Sequence, residues 1–385
     1  MTGEIRSNCK KGDRVRIGDI ARITSGKRPV IFSERPEEDA RIPIYGGAGI
    51  TGYTKKPLFK ESVIVTGRVG TLGLLHKVKH PSWPSDNTLV IIPKDGEALY
   101  DFIYYNLKLK VQKLISLNRG TSNPLIVQRD VKNLEITLPS LSEQRRIASI
   151  LGAIDDKIEL NHEMNRTLEE MAQAIFRSWF VDFEPFKDGE FEYSEELDKE
   201  IPKGWDVVQI SDIAKVTSGK RPSIVQGNQS QDSPVPVYGG SGIMGYTSEP
   251  LFIVPILVTG RVGTLGKLYR ANPPSWPSDN TLVVIVKDKF YFEFVYFFLQ
   301  RIKLESLNRG TSNPLITQGD IKRQKVALPP TNIISNFSST CHTLFEQCRI
   351  NDYENSTLAK IRDSLLPKLM SGEIRVNVPE TEMSA

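Results

Sequence analysis

Apolar and polar positions along this chain follow two rhythms. From Val15 to Ile92 the apolar residues come in short runs, such as Ser62–Thr66 and Thr88–Ile92, bounded by Gly, Pro and Asn-Thr turns. Short runs punctuated in this way predict β-strands. A helix is expected over Tyr100–Ile115, followed by a polar loop and a strand over Leu134–Leu138. Pro139 then stops the strand, and Ser142 followed by Glu143 and Gln144 reads as a helix N-cap. Beyond it, Ile147, Leu151, Ile154, Ile158, Asn161, Asn165, Leu168, Ala172, Ile175 and Trp179 recur at a spacing near 3.5. A seam of that period predicts a long helix paired with another.

Both rhythms are written twice. TSGKRP at Thr24–Pro29 returns at Thr217–Pro222, 193 positions on, and YGGAGITGYT at Tyr45–Thr54 returns as YGGSGIMGYT at Tyr238–Thr247. TGRVGTLG (Thr66–Gly73), PSWPSDNTLV (Pro81–Val90) and LNRGTSNPLI from Leu117 return unchanged. A shift of 190 carries the helical seam onto Phe337, Cys341, Leu344, Cys348, Asn351, Asn355, Leu358, Arg362, Leu365 and Leu369. Its one blemish is Arg362, where Ile361 is expected to take the buried place. Each seam has two central asparagines, Asn161 with Asn165 and Asn351 with Asn355. Buried asparagines lower coiled-coil stability but fix register. A pseudo-twofold relation between the halves makes the two helices antiparallel, with Asn opposite Asn. The expected fold is therefore α+β: two β-rich domains in pseudo-twofold repeat, separated by an antiparallel coiled coil of two long helices. The corresponding segments are residues 1–138, 139–183, 184–327 and 328–385. A helix of about 36–40 residues spans ~55–60 Å, a spacer on the scale of one or more turns of B-DNA at ~34 Å each.

Composition adds little and excludes more. With 385 residues, 39% hydrophobic and 25% charged, the chain is ordinary for a globular protein, and a net charge of +4 suits nucleic acid without demanding it. No apolar run approaches the ~18 residues of a membrane-spanning helix. The polar start lacks a signal-peptide core. Three cysteines without paired spacing argue against a disulfide scaffold or zinc site, and for a reducing, cytoplasmic setting.

Several motifs invite catalytic readings that their contexts oppose. Gly47, Gly49 and Gly52 form a literal GxGxxG, yet Tyr53, Thr54 and Pro57 follow where a dinucleotide site needs a helix. Tyr45-x-Gly47-x-Gly49 and Asn272-Pro273-Pro274-Ser275 imitate methyltransferase motifs, but Ser275 stands where an aromatic residue is needed, and Lys79-His80-Pro81-Ser82 occupies the aligned positions. His76 and His80 correspond to Tyr269 and Pro273, which speaks against a metal site. Cys341 and Cys348 lie on the apolar seam and read as core. Trp83 and Trp276 are expected to pack, and Asp86-Asn87 and Asp279-Asn280 to form turns. The acidic positions Asp155, Asp156, Glu159, Glu163, Glu169 and Glu170 read as a solvated helix face, or as a place for a partner subunit to dock.

What does recur is a set suited to an anionic polymer. Lys27, Arg28, Arg68 and Arg119 match Lys220, Arg221, Arg261 and Arg309. Short polar groups accompany them: Thr121, Ser122 and Asn123, matched by Thr311, Ser312 and Asn313, with Asn118 and Asn308 just before. In glycine-bounded loops such groups approach phosphates and base edges closely. The competing expectation for each arginine is a structural one, capping a carbonyl or pairing with an aspartate.

Taken together, GTSNPLIVQRDVKNLEITLPSLSEQRRIASIL (Gly120–Leu151), IPKGWDVVQISDIAKVTSGKRP (Ile201–Pro222), FRSWFVDFEPF (Phe176–Phe186), the paired YGG blocks and KLMSGEI (Lys368–Ile374) resemble the type I restriction–modification specificity subunits. That resemblance covers nearly the whole chain. It implies two target recognition domains reading double-stranded DNA and two conserved helices on which two modification subunits dock. It also implies that restriction subunits complete the nuclease, and that S-adenosylmethionine, ATP and magnesium belong to those partners, with no cofactor or catalysis in this chain. Two departures stand out. The first half lacks the IPKGW lead-in, and the second helix begins Thr331-Asn332-Ile333-Ile334-Ser335 in place of SEQRRI. Two other classes remain open on the residues alone: a non-catalytic coiled-coil scaffold, and a self-sufficient DNA methyltransferase.

Overall fold

A computed structural model describes residues 13–29, 32–94, 96, 98–120, 124–309 and 314–376. Packing divides the chain into two units, residues 1–161 with 353–385, and residues 162–352.

The first unit opens with β1 (Asp13–Arg16), α1 (Ile17–Ile20) and β2 (Ala21–Ser25). Next come β3 (Ile42–Gly46), β4 (Gly49–Thr54), β5 (Val63–Gly67), β6 (Leu75–Val78), β7 (Trp83–Pro84) and β8 (Thr88–Pro93). Then follow α2 (Tyr100–Leu109), α3 (Val111–Ser116), α4 (Gln128–Lys132), β9 (Glu135–Leu138) and the first part of α5 (Leu141–Phe180). Strands β2-β8-β5-β6 form an antiparallel sheet, β4-β3-β7 a smaller mixed one, and β1 pairs with β9. Alternation along the central strands explains the layering. Ile64, Leu89 and Ile91 face one way, into a core with Phe102 and Ile103 of α2, while Val63, Val65, Val90 and Ile92 face the other, with Tyr45 and Val78. The helical core is completed by Ile147 and Leu151 of α5 and by Leu366, Leu369 and Met370 from the far end of the sequence.

The second unit repeats this order with an added hairpin, β10 and β11, at its start and no α-helical counterpart of α3. Its elements are β10 (Phe191–Ser194), β11 (Lys199–Pro202), β12 (Asp206–Gln209), α6 (Ile210–Ile213), β13 (Ala214–Ser218), β14 (Val235–Gly239) and β15 (Gly242–Thr247). They continue with β16 (Ile256–Gly260), β17 (Leu268–Ala271), β18 (Trp276–Pro277), β19 (Thr281–Val286), α7 (Phe292–Arg301), α8 (Gln318–Lys322), β20 (Lys325–Leu328) and the first part of α9 (Thr331–Ser371). Its sheets, β13-β19-β16-β17 and β15-β14-β18, match those of the first unit. Phe180 at the end of α5 packs edge-on against Phe294 and Phe337, Phe176 meets the same two rings at a tilt, and Trp205 of the IPKGW segment packs against Phe180, Phe183 and Phe186. Each such ring contributes about 1.5–3 kcal/mol by burial.

The long helices run antiparallel in both units, with asparagines meeting in each. In the first, Asn161 Nδ2 donates to Asn355 Oδ1 at 2.8 Å; in the second, Asn351 Nδ2 donates to Asn165 Oδ1 at 2.8 Å.

Four sequence expectations are corrected. The segment after Tyr100 is two helices broken at Lys110, whose φ of −99° and ψ of 13° leave the α region. The side chain meeting the first turn of α5 is Ser140, whose Oγ accepts from Glu143 N at 3.3 Å, so the cap lies two residues before Ser142. Ile361 does not replace Arg362 in the seam. It is 43% exposed, while the Arg362 side chain is 16% exposed and donates to Asp155 Oδ1 at 2.8 Å. Asp155 is accordingly no part of a solvated acidic face. It also accepts from Tyr105 Oη at 2.8 Å and faces Lys108 Nζ at 3.6 Å. At the repeat-related positions of the second unit stand Phe345 and Ala172, both in the apolar core.

Candidate nucleic-acid interface

The repeated loops meet around one turn, Ser85–Thr88, which contains the Asp86-Asn87 pair. Thr88 N donates to Ser85 O at 3.0 Å, closing the turn, and Asp86 and Asn87 are exposed at its tip. Its carbonyls and their neighbours tie down the other loops. Gly26 N donates to Thr88 O at 3.2 Å and Lys27 N to Pro84 O at 3.0 Å, while Arg68 N donates to Asn87 O at 2.8 Å. Ile126 N then donates to Arg68 O at 2.9 Å and Gly70 N to Pro124 O at 3.0 Å, which brings in the loop after Arg119. The second unit repeats the scaffold through Gly219, Lys220, Arg261, Gly263 and Ile316 at 2.9–3.2 Å. TSGKRP, TGRVGTLG and the segments Pro124–Ile126 and Pro314–Ile316, far apart in sequence, thus converge on that turn in each unit.

Glycine is required where backbones touch. A Cβ on Gly67 would lie 1.7 Å from Thr71 O, and one on Gly260 1.9 Å from Thr264 O, so the arginine loop folds flat on itself. Gly26 and Gly219 are equally confined, 2.2 Å from Ser85 O and Ser278 O. The tryptophans act structurally: Trp83 Nε1 donates to Lys27 O at 2.6 Å and Trp276 Nε1 to Lys220 O at 2.7 Å, fixing the basic loops from beneath.

The cations divide into two kinds. Lys27, Arg28, Lys220 and Arg221 are exposed. Arg68 and Arg261 are half-buried, and the Nε of each is buried without a hydrogen-bond partner among the described residues. An unsatisfied buried guanidinium nitrogen at equivalent places in both units is a costly feature that an anion would relieve. Arg119 and Arg309 behave otherwise. They pair with Asp130 and Asp320, whose side chains are only 4% exposed, so the structural alternative describes their near contacts. Burial works against ionisation of Asp320, but hydrogen bonds from Thr317 and the charges of Arg309 and Arg323 hold its carboxyl below the ordinary range. These two aspartates were missed from sequence, although QRD and QGD occur at matching places. Asn118 closes its own loop, its Oδ1 accepting from Gly120 N at 2.9 Å and Leu125 N at 2.8 Å, and Asn308 Oδ1 accepts likewise from Leu315 N. Thr121, Ser122, Asn123, Thr311, Ser312 and Asn313 lie outside the described residues.

The apparent GxGxxG is the tip of the β3–β4 hairpin, with Gly49 at φ +126°, and no helix opens there. His76 Nε2 bonds Gly47 O at 3.1 Å, and His80 Nε2 bonds Tyr45 Oη at 3.3 Å. Among the described residues no group of three or more His, Cys, Asp or Glu side chains is placed to hold a metal. Cys341 and Cys348 are buried and unpaired, and burial pushes the Cys341 thiol up to about 12. No described helix is long and apolar enough to cross a membrane.

Two similar units, each with one loop-built basic surface and a share of paired long helices, define a protein that presents the same surface twice. The family model of the type I restriction modification DNA specificity domain matches residues 10–170 and 202–354. The chain is 33% identical to the type I restriction enzyme MjaIX specificity subunit of Methanocaldococcus jannaschii, over 82% of this chain and 78% of that protein. It is 25% identical to the HindI specificity subunit of Haemophilus influenzae, over 75% and 81%. The S subunit structure from M. genitalium shares the fold, with a TM-score of 0.58 at 20% identity across 96% of this chain and 99% of that one. The chain belongs to the type I restriction–modification specificity subunit family.

Proposed function

We propose that this chain recognises a bipartite double-stranded DNA target, each unit gripping one half-site, and docks two modification subunits on its long helices. Where a cognate restriction subunit exists, it joins that assembly in the cytoplasm. S-adenosylmethionine, ATP and magnesium belong to the partners, and this chain contributes recognition without catalysis. The observation that carries the reading is the duplicated convergence of basic loops, with the Nε of Arg68 and of Arg261 unpartnered among the described residues at matching places. Phosphate contacts from Lys27, Arg28, Arg68 and their counterparts give affinity and position. Arg119 and Arg309 are held by aspartates, and Thr121, Ser122, Asn123, Thr311, Ser312 and Asn313 add short polar contacts to the DNA.

Because the units are so alike, the half-sites are the same or closely related and inverted about the gap. The main divergence lies at residues 30–42 against 223–235, 60–64 against 253–257, and 74–80 against 267–273. The test is co-expression with the modification partner in a methylation-free host, followed by single-molecule sequencing of the modified DNA. A gapped motif with related inverted halves is expected. Two unrelated halves would refute the like-half-site reading, and no methylation from a verified complex would refute the function.

A further inference from the structure

Within the hairpin repeated as YGGAGITGYT and YGGSGIMGYT, only two positions differ, Ala48 against Ser241 and Thr51 against Met244. The hairpin tips share a backbone conformation: Gly49 and Gly242 both have a positive φ, +126° and +115°. Both copies carry a bulge at the second variable position. Tyr45 pairs with Ile50 and Ile44 with Gly52, leaving Thr51 as the extra residue; Tyr238 pairs with Ile243 and Val237 with Gly245, leaving Met244. A bulge turns its residues away from strand alternation. The consequence here is that two consecutive side chains are exposed, Ile50 with Thr51 and Ile243 with Met244.

The hairpin belongs to the basic surface already described. A Cβ on Gly47 would lie 3.1 Å from Gly67 Cα, and one on Gly240 3.3 Å from Gly260 Cα, so each tip rests on an arginine loop. Ser85 N donates to Tyr45 O at 2.9 Å, joining the hairpin to the central turn. Three large apolar side chains stand out there without cover: Ile50 is 51% exposed, Ile243 53% and Met244 58%. Thr51 instead turns its hydroxyl back on Ile44 O at 3.4 Å and lays its methyl over Gly46, 2.8 Å from where a Cβ would stand there. Apolar groups beside a row of cations suit a surface that is anionic at its rim and apolar at points within. In a DNA groove the thymine C5-methyl is such a point.

We propose that the bulge residue is a specificity-determining position, at which Met244 selects a thymine methyl and Thr51 does not. Ile50 and Ile243 supply the contact the two half-sites share. This rests on the DNA reading above and predicts that the inverted half-sites differ at a base pair read by this position.

The experiment uses the full chain in complex with its modification subunits, with methylated motifs read by single-molecule sequencing for wild type, Thr51→Met, Met244→Thr and Met244→Leu. Thr51→Met is expected to give its half-site the preference of the other, and Met244→Thr to lose thymine preference at one position by roughly tenfold. Met244→Leu, still apolar, retains the wild-type motif and controls for folding. Identical wild-type half-sites, or an unchanged motif in both exchange variants with methylation intact, would overturn the proposal while leaving the DNA reading standing. Absence of any gapped motif from the wild-type complex would overturn both.

Discussion

Replacing Arg362 by Met tests the one place where an arginine interrupts the helix seam. The change keeps an unbranched apolar stem, shorter than that of arginine, and removes the charge. Asp155 then loses a 2.8 Å hydrogen bond but keeps Tyr105 Oη at 2.8 Å and Lys108 Nζ at 3.6 Å. Stripping a partner from a fully buried pair costs about 3–5 kcal/mol, whereas exposed pairs contribute about 0–1. With Asp155 20% and Arg362 16% exposed, and two partners left, the loss falls between these ranges. We expect about 2 kcal/mol, a Tm decrease of roughly 4–8 °C for a unit of this size. A double-mutant cycle with Asp155→Asn, read by denaturant melts, should give a coupling of about 1–2 kcal/mol. The effect also has a pH signature. Burial opposes ionisation of Asp155, yet hydrogen bonds from Arg362 and Tyr105 and the charges of Lys108 and Arg362 outweigh it, holding the carboxyl below its ordinary range. The pair's contribution is therefore complete above the unfolded carboxyl value of about 4 and is lost as pH falls through the lower folded value. The Arg362→Met deficit should be full at pH 7 and shrink below about pH 4. A deficit unchanged from pH 7 to 3, or a coupling under about 0.3 kcal/mol, would refute this account.

Three further outcomes follow from the same geometry. Asn161→Leu leaves Asn355 without its partner and should cost about 1–3 kcal/mol in a denaturant melt, whereas Asn161→Leu with Asn355→Leu should recover that loss or exceed it. Gly67→Ala drives a Cβ into the Thr71 carbonyl and should lower both Tm and DNA affinity, while Gly70→Ala, with open space at φ +78°, should cost only about 1 kcal/mol in stability. Arg68→Ala and Arg261→Ala should each flatten the dependence of log affinity on log salt by about 0.9 for every phosphate contact removed, measured by fluorescence anisotropy across a salt series.

The duplicated strands, the paired helices and the Gly-rich turns were legible because each rests on a local signal that the chain repeats. Short apolar runs between turn residues marked the strands at Ser62–Thr66 and Thr88–Ile92, and a 3.5-residue spacing placed Asn161 and Asn351 on helix seams. Arg362 was misread because heptad spacing registers hydrophobicity and not a counter-charge on the other helix: Asp155 lies 207 residues away. The division of the cations was hidden for a related reason. Arg68 and Arg119 look alike in sequence, and only the fold brings Asp130 to one and leaves the other's Nε unmatched. Ser142 has Arg145 three residues on, whereas Ser140, directly after the Pro139 that ends the strand, has Glu143 at the capping-box spacing and takes the role.

The first unit draws Leu366, Leu369 and Met370 into the core that also holds Ile17, Phe102 and Leu151. The second unit is one continuous stretch, residues 162–352. A ribosome therefore releases every segment of the second unit before the last helical turns of the first. During synthesis the first unit waits with its helical core uncapped, while the second has all its parts and is free to close. The order in which this protein matures is then the reverse of the order in which its sequence begins. A premature stop just after Asp352 would spare the second unit and leave the first with an open apolar face, a nascent chain suited to chaperones and to proteolysis.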